Sequence, residues 1–350
     1  MTILVTGATG FIGRHVCATL TSQQHHVVAL LRDPTTQLPA LKQQIRQLGG
    51  DEHALSAVKG DLDETSLGLQ GPLPALSAIV HLGARFAWQL AMAEARRTNV
   101  AGSLAVAELA RQQQCRLVFI SGFMLENHAH LARLGIDTQP GGKTEWPSVY
   151  TRAGGYEASK LEAAIRVREF ARQHQLDMVE IQPATVSGHS QRGELDPQQP
   201  LYQLIANLHT GRLAMIPGSQ RHWLPLVCVD GLAELIALAC VDPQAPARLL
   251  ALDPNTPSLG GLLQHCAAAL GRKPPRHYMP IPLLRGLLRL PGLPRLMNTW
   301  PEALHFIQTT RFDTRASSDY MKQHGLVHPD TDEVLTLCVQ HFLCCTQREH

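Results

Sequence analysis

The chain has 350 residues, of which 44% are hydrophobic and 17% are charged, and its formal net charge is +2. This length and composition suit a globular protein with a substantial core, built as one large α/β unit or as two modest domains. The near-neutral charge and the lack of a Lys/Arg run with interleaved aromatics argue against a nucleic-acid partner. No basic segment followed by an apolar segment opens the chain, so we expect no signal peptide and a cytoplasmic location.

The eight cysteines are scattered through mostly apolar segments, which predicts reduced, buried thiols that pack as small hydrophobic groups. Near the end of the chain, Cys338, His341 and Cys344 stand at three-residue steps that one helical face could present to a metal. No second pair of ligands with zinc spacing accompanies them. We therefore expect an amphipathic helix here and no metal site.

Short apolar runs alternate with helical patterns through the first half of the chain. The runs have the length and aliphatic content of buried parallel strands, and they occupy residues 3–5, 27–31, 57–58, 78–81, 117–121 and 178–182. The helical patterns between them include residues 14–23, 91–114 and 156–174. This alternation predicts an α/β fold with a doubly wound parallel sheet of the Rossmann type.

The pattern changes after Gly188, where loops rich in Pro, Gly and His separate helical candidates at residues 201–210, 231–240 and 259–270. We interpret this half as a smaller, substrate-binding part. The expected boundaries are a Rossmann domain over residues 1–188, to which 221–252 return, and a substrate-binding part over 189–220 and 253–350.

Residues 279–297 form the most apolar stretch of the second half. Several Pro, Gly and Arg residues interrupt it, so we expect no membrane span here. A kinked apolar wall that covers an active site and binds an acyl chain is the favoured interpretation. The alternatives are that the segment only packs the smaller domain or forms a homodimer contact.

The sequence TGATGFIG (6–13) directly follows the first expected strand and carries Gly7, Gly10 and Gly13. A strand that ends in a glycine-rich turn and continues into a helix lets pyrophosphate oxygens approach bare backbone, and the helix N-terminus stabilises their negative charge. Glycines also serve tight turns and close helix packing. The position at the start of an alternating strand and helix series favours dinucleotide binding.

Four further motifs follow this turn: GDL (60–62), VHLGA (80–84), TNVAG (98–102) and YEASK (156–160). The ordered set resembles the extended short-chain dehydrogenase/reductase superfamily, also called the NAD-dependent epimerase/dehydratase superfamily, and covers the chain from residue 1 to about residue 235. The resemblance implies an NAD(P)-dependent oxidoreductase. It implies cofactor contacts at Gly7, Thr9, Gly10, Phe11, Ile12, Gly13, Arg14, Arg32, Asp61, Leu62, Leu82, Gly83, Ala84, Asn99, Tyr156, Lys160 and Pro183.

The choice between NAD and NADP depends on the end of the second expected strand, VVALLRDP. The family places an acidic residue where Leu31 stands, and such an acid binds the ribose hydroxyls of NAD and repels a 2′-phosphate. Arg32 offers a cation for the 2′-phosphate of NADP, and Arg14 adds charge nearby. Asp33 is expected to start a turn instead. The run resembles that of NADPH-dependent members such as dihydroflavonol reductases, so NADP is favoured over NAD; the alternative is a solvated Arg32.

Tyr156 and Lys160 are four residues apart, so in a helix they share one face. A nearby ammonium and the positive ring of an oxidised nicotinamide would favour the phenolate, which lets Tyr156 exchange a proton with a carbonyl oxygen near neutral pH. Lys160 would also hold the ribose hydroxyls of the cofactor. The same spacing occurs on exposed helix faces, but the accompanying motifs favour catalysis.

One position departs from the family pattern. The family normally provides Ser or Thr after the fifth strand to orient the substrate carbonyl, and here Gly122 occupies the second hydroxyl position. Ser121, a water or a hydroxyl from residues 125–155 would take over that role; alternatively Ser121 only satisfies backbone groups at the strand end. Asn99 resembles the helix Asn that supports the proton path, with helix packing as the alternative.

Residues after the sixth expected strand bear on the substrate. QPATVSG (182–188) and the polar run that follows resemble thioester reductases, although Gln182 replaces their usual Arg. PGS (217–219) and PLVCVD (225–230) resemble the return of that group to its core sheet. The Asn-Val-Tyr-Gly-Pro pattern of sugar-nucleotide epimerases does not occur in the sequence.

The sequence therefore predicts an NADPH-dependent reductase of an acyl thioester, aldehyde or ketone with an apolar chain, the acyl group being carried by CoA or by a carrier protein. By resemblance, hydride passes to the carbonyl carbon while Tyr156 protonates the oxygen, and a thioester then releases its thiol. Two alternatives stay open: a sugar-nucleotide epimerase or dehydratase with tightly held NAD, and a non-catalytic NADP-sensing protein, which only Gly122 favours.

Overall fold

The computed structural model describes residues 1–139 and 141–348. Contacts between Cα atoms divide the chain into a larger unit, Met1–Gln182 with Leu232–Leu250, and a smaller unit, Pro183–Gly231 with the chain from Ala251 onward. The division differs from the expected boundaries, because residues 183–188 and 221–231 belong to the smaller unit. The reason is a separate pair of parallel strands, in which Thr185–Ser187 joins Leu226–Cys228 rather than the large sheet.

The strands, in chain order, are short and mostly buried. They are β1 (Thr2–Thr6), β2 (His26–Leu31), β3 (Leu55–Lys59), β4 (Ala78–His81), β5 (Arg116–Ile120), β6 (Met178–Pro183), β7 (Thr185–Ser187), β8 (Ile216–Pro217), β9 (Leu226–Cys228), β10 (Arg248–Ala251) and β11 (Tyr278–Met279).

Helices connect most of these strands, and several helices follow one another after β5 and after β11. The helices are α1 (Phe11–Ser22), α2 (Pro34–Gln47), α3 (Met92–Ala95), α4 (Gly102–Gln112), α5 (His128–Leu134), α6 (Trp146–Ala153), α7 (Gly155–His174), α8 (Pro200–His209), α9 (Val229–Val241), α10 (Leu259–Ala269), α11 (Ile281–Leu287), α12 (Leu293–Leu296), α13 (Arg315–Gln323) and α14 (Thr331–Arg348).

A seven-stranded sheet in the order β10-β6-β5-β4-β1-β2-β3 forms the centre of the fold. The pairings from β3 through to β6 are parallel. Ile3, Val80 and Leu117 in these strands are fully buried. Strands that are covered on both faces of a sheet need apolar residues at successive positions, which explains their continuous apolar sequences. The predicted doubly wound Rossmann sheet is therefore confirmed, with all six expected strands present and β10 added at one edge.

The helix expected over residues 91–114 is present but irregular. A π-helical turn, Arg96–Ala101, separates α3 from α4. Such turns insert one extra residue into the helical ladder and shift the side chains that follow. Thr98 and Asn99, both in the TNVAG motif, lie in this turn and are buried.

The smaller unit has its own apolar core, to which α8, α10 and α14 contribute Leu201, Leu263 and Leu335. The C-terminal segment forms a helix as expected, with Cys338 buried and Cys344 exposed. Prolines break residues 279–297 into the short helices α11 and α12. Among the helices that the structure describes, none is long and apolar enough to cross a membrane.

Candidate active site

The turn after β1 can hold a phosphate because two close backbone approaches exclude side chains. Gly7 has φ +70°, and a Cβ added there would lie 2.7 Å from the backbone N of Gly83. A Cβ on Gly13 would lie 2.0 Å from the Gly7 carbonyl oxygen. The Gly10 N–H donates to that same oxygen at 3.0 Å, and α1 begins at the next residue. A helix N-terminus thus faces a stretch of bare backbone, which suits an anionic group.

A cleft of about 500 Å³ lies at the carboxyl ends of β1 to β4, where ligands bind in open parallel sheets. Nine predicted cofactor residues line it: Gly7, Thr9, Gly10, Arg32, Asp61, Leu62, Leu82, Gly83 and Ala84. The sequence interpretation missed six more: Leu30, Leu31, Gln37, Asp63, Arg85 and Thr98. Most of these stand beside a recognised motif, and that adjacency was the available signal.

The other predicted cofactor residues lie outside the lining of this cleft. The first turn of α1 contains Phe11, Ile12, Gly13 and Arg14. The Arg14 guanidinium lies over the Phe11 ring, 5.3 Å from its centroid. Pro183 ends β6 and opens the smaller unit.

At the end of β2, the Asp33 carboxylate is already engaged. Leu31 is buried, and Arg32 is exposed and lines the cleft. The Asp33 carboxylate accepts hydrogen bonds from the Thr35 N–H at 3.1 Å and from the Thr36 hydroxyl at 2.7 Å, so it caps α2. The bond from Thr36 is the main reason why the pKa of Asp33 is lowered. At this strand end the Arg32 guanidinium therefore lines the cleft, while the Asp33 carboxylate caps α2.

Tyr156 and Lys160 lie one turn apart near the start of α7. This helix begins at Gly155, where a Cβ would lie 2.0 Å from the Leu90 carbonyl oxygen. The Tyr156 ring packs edge-on against Phe86, with centroids 4.6 Å apart. The Lys160 ammonium donates to the Ile120 carbonyl at 2.7 Å, so α7 is connected to the end of β5.

The pKa values in this pair differ from the expectation. Burial raises the pKa of Tyr156 to about 12, whereas a lowered pKa was expected from the neighbouring ammonium together with the positive ring of an oxidised nicotinamide. Burial lowers the pKa of Lys160 to about 8, partly opposed by the Glu180 carboxylate. Burial alone accounts for the raised pKa of the Tyr156 phenol in the protein without cofactor. The expected effect of a bound, oxidised nicotinamide on this pKa stays a prediction. A phenol with this pKa is a proton donor at neutral pH.

Ser121 and Gly122 follow β5 directly, and they differ in how the fold uses them. Ser121 is 4% exposed, and its Oγ has no hydrogen-bond partner within residues 1–139 and 141–348. A buried hydroxyl without a partner is costly, so it points to a ligand. Gly122 has an extended backbone with φ 179°, and a Cβ there would meet no heavy atom within 4 Å. Neither backbone nor packing requires glycine at this position.

Asn99 is 1% exposed, and its side-chain amide connects the Arg85 backbone to Ser159 of α7. Its Oδ1 accepts from the Arg85 N–H at 2.7 Å. Its Nδ2 donates to the Arg85 carbonyl at 3.1 Å and to the Ser159 hydroxyl at 2.8 Å. Both amide hydrogens therefore hold the loop after β4 to α7. The expected role of Asn99 in a proton path stays a prediction.

The smaller unit contains a cavity of its own, of about 160 Å³. Its apolar lining includes three residues of the segment 279–297, namely Met279, Leu284 and Met297. Asn207 is the buried polar residue in the lining, and its Nδ2 donates to the carbonyls of Met297 and Asn298 at 3.3 Å each. The kinked apolar segment thus encloses space that could hold a small alkyl group.

Residues 3–248 match the model of the NAD-dependent epimerase/dehydratase family. The chain is 26% identical to a PKS-NRPS hybrid synthetase, cheA, of Chaetomium globosum over 67% of its own length but only 5% of that protein. It is 25% identical to a UDP-glucose 4-epimerase of Vibrio cholerae over 80% of this chain and 79% of that one. A terminal R domain from the myxalamid PKS-NRPS pathway has the same fold, with TM-score 0.76, 18% identity and coverage of 99% and 91%.

The match covers well over half of the chain, so the fold and site define a nucleotide-binding enzyme of the extended short-chain dehydrogenase/reductase type. The chain belongs to the NAD-dependent epimerase/dehydratase family, whose members bind NAD(P). The cleft fits that cofactor, because Gly7 and Gly10 in its lining present backbone without side chains beside the N-terminus of α1. The chain spans a small fraction of the synthetase it matches and most of the epimerase.

Proposed function

We propose that the protein is an NADPH-dependent reductase of a carbonyl substrate with an apolar chain. The observation that carries this proposal is the end of β2, where Arg32 lines the cleft and the Asp33 carboxylate caps α2. A guanidinium pairs well with a phosphate, whereas a free carboxylate there would repel it. This arrangement supports a preference for the 2′-phosphate of NADP over the bare ribose of NAD.

When bound, NADPH supplies the hydride that reduces the substrate carbonyl carbon. Tyr156 donates its proton to the carbonyl oxygen, since its phenol is protonated at neutral pH. The unpaired Ser121 hydroxyl donates a second hydrogen bond to that oxygen and holds the carbonyl beside Tyr156. Lys160, fixed on the Ile120 carbonyl, binds the ribose hydroxyls of the cofactor. Asn99 keeps α7 in position through Ser159.

The substrate class is an acyl thioester, aldehyde or ketone. The apolar cavity of the smaller unit supports an alkyl chain as part of the ligand. Similarity to reductase and synthetase proteins of PKS-NRPS pathways supports an acyl group that is bound to a carrier protein or to CoA. For a thioester, reduction gives a hemithioacetal, which collapses to an aldehyde and releases the thiol.

A sugar-nucleotide epimerase with tightly held NAD is the second candidate. It is favoured by the Vibrio cholerae UDP-glucose 4-epimerase, which the chain matches over most of both lengths. Such an enzyme keeps one cofactor through its cycle, whereas a reductase exchanges it at each turnover.

The cofactor that co-purifies with the protein separates the two candidates. The protein is denatured, and the released nucleotide is identified and quantified by chromatography. We expect little bound nucleotide in the purified protein and saturable, reversible binding of added NADPH. Stoichiometric NAD that dialysis does not remove would reject the reductase and support the epimerase. A non-catalytic NADP sensor would bind NADPH reversibly but would turn over no carbonyl substrate.

A further inference from the structure

His81 ends β4 and is a buried titratable side chain of the large unit, with 2% exposure. Its Nδ1 lies 2.7 Å from the Thr6 hydroxyl, and its Nε2 lies 2.8 Å from the Ser103 hydroxyl. The ring also stacks on Phe119, with centroids 5.8 Å apart. His81 lies in the VHLGA motif (80–84), but no proposed catalytic step assigns its side chain a task.

The proton positions along this chain of contacts can be worked out from the neighbouring bonds. The Ser103 hydroxyl donates to the Asn99 carbonyl at 2.6 Å, so its oxygen must accept from the Nε2–H of His81. His81 Nδ1 then accepts from the Thr6 hydroxyl, whose oxygen accepts from the Gly83 N–H at 3.1 Å. Each group in this series therefore donates to the next, from the Gly83 N–H through Thr6, His81 and Ser103 to the Asn99 carbonyl.

His81 stays neutral in this arrangement. Burial, with a smaller contribution from the Lys160 ammonium, lowers the pKa of His81 to about 3. A neutral imidazole has one donor and one acceptor nitrogen, and the two hydroxyls on either side use both. The ring therefore has one tautomer and one orientation at physiological pH.

The two ends of this hydrogen-bonded series, Gly83 and Asn99, lie at different parts of the candidate site. Gly83 lines the cofactor cleft and lies close to Gly7. At the other end, Asn99 holds the Arg85 backbone and Ser159, and Ser159 in turn donates to the Tyr156 carbonyl at 2.8 Å. Hydrogen bonds thus connect Gly83 in the cleft to the backbone of Asn99. The side chain of Asn99 bonds in turn to Ser159 of the helix that carries Tyr156.

We infer that His81 is a positioning residue that holds the cofactor cleft at Thr6 and Gly83 in register with Asn99 and the catalytic helix. Its part in the cleft depends only on NAD(P) binding, while its part at α7 rests on the proposed function. The Nδ1 side sets the position of the Gly83 amide, and the Nε2 side sets that of the π-helical turn at Asn99.

Three substitutions test the two sides separately. Asn at position 81 keeps an acceptor near the place of Nδ1, and Gln keeps a donor near that of Nε2. Phe keeps the packing on Phe119 but has no hydrogen-bonding group. Dissociation constants for NADPH and NADH are measured by cofactor fluorescence, and hydrogen exchange is followed over residues 82–86, which include the Gly83 and Arg85 amides.

We expect His81→Phe and His81→Gln to weaken binding of both cofactors by about three- to tenfold, the size expected for one lost hydrogen bond. Both variants should also exchange faster over residues 82–86. His81→Asn should bind cofactor within about twofold of the unchanged protein and instead lose turnover, because only the Asn99 side is cut. Equal cofactor binding and equal exchange in all three variants would overturn the inference and leave His81 a packing residue.

A double-mutant cycle keeps the test valid if His81→Phe folds poorly. Thr6→Val removes the next link toward the cleft, so it should weaken cofactor binding by a similar factor. Combined with His81→Gln, it should add little further loss, because both changes cut the same path. Fully additive losses would contradict a shared path. These binding and exchange measurements succeed or fail independently of carbonyl turnover, which tests the proposed function alone.

Discussion

Two strand ends of the central sheet show two different reasons for a glycine. After β1, Gly7 has a positive φ, and Gly13 leaves no room for a Cβ against the Gly7 carbonyl. After β5, Gly122 has an extended backbone and open space where a Cβ would stand. The first end is shaped by the backbone of the protein itself. The backbone of the protein does not require a glycine at the second end, which lies beside the unpaired Ser121 hydroxyl. We attribute the open space at this end to the binding of a ligand.

Within one sheet, the end of β1 contributes to cofactor binding, and the end of β5 contributes to the proposed reaction of the carbonyl group. The end of β1 lies in the cleft that fits a nucleotide, and its residue types follow from chain geometry. The end of β5 carries the proposed carbonyl site, where the Ile120 carbonyl accepts a hydrogen bond from Lys160 of α7. Changes at the first end should therefore alter affinity for the cofactor and stability, and changes at the second should alter turnover.

The largest expected effect is on turnover. Tyr156→Phe removes only the transferable proton, so kcat should fall by about 100-fold or more while the Kd for NADPH stays nearly constant. Steady-state kinetics and a fluorescence titration measure the two quantities. Phe replaces the ring that packs on Phe86, so the fold is retained. Unchanged turnover would move the proton donor elsewhere or support the NADP-sensing alternative.

The two strand ends can be compared directly by adding one methyl group to each. Gly13→Ala should destabilise the protein by about 1–3 kcal/mol, because its Cβ collides with backbone that cannot move aside. Gly122→Ala should change the free energy of unfolding by less than about 1 kcal/mol, since its φ suits any residue. Denaturant unfolding measures both. Similar losses of stability in the two variants would show that the comparison is wrong.

The next effect concerns the choice of cofactor. Arg32→Ala should reduce the preference for NADPH over NADH by about 1–3 kcal/mol, because a charge-assisted contact with the 2′-phosphate is lost. Parallel titrations with the two cofactors measure it. Arg172→Ala, in the last turn of α7, is the matched control and should leave the preference unchanged. Equal binding of NADH and NADPH by the unchanged protein would refute the assignment of Arg32.

The smallest effect is on substrate length. Each added methylene should raise kcat/KM by up to about fourfold, or 0.8 kcal/mol, until the apolar cavity is full. Ala303→Leu, whose side chain would enter that cavity, should shorten the optimal chain, whereas Ala268→Leu on α10 should not. If the rates do not increase with chain length, residues 279–297 do not bind the substrate chain. They would then only pack the smaller unit or form a homodimer contact.

The sequence predicts the large unit well because local rules determine it. Continuous apolar runs define β1 to β6, and a motif beside each strand end marks the cleft. The contacts that orient the site are not readable in this way. The bond from Lys160 to the Ile120 carbonyl and the bond from Asn99 to Ser159 join residues far apart in the chain. The boundary at residue 183 also depends on a long-range pairing, between β7 and β9.

A turnover screen with NADPH tests the central claim most directly. The protein is mixed with acyl-CoA thioesters, aldehydes and ketones of increasing chain length, and oxidation of NADPH is followed by absorbance, with NADH and a UDP-sugar as parallel arms. The account predicts NADPH oxidation that depends on an apolar carbonyl substrate and is abolished in Tyr156→Phe. Conversion of the UDP-sugar with NAD, without NADPH oxidation on any carbonyl, would contradict it.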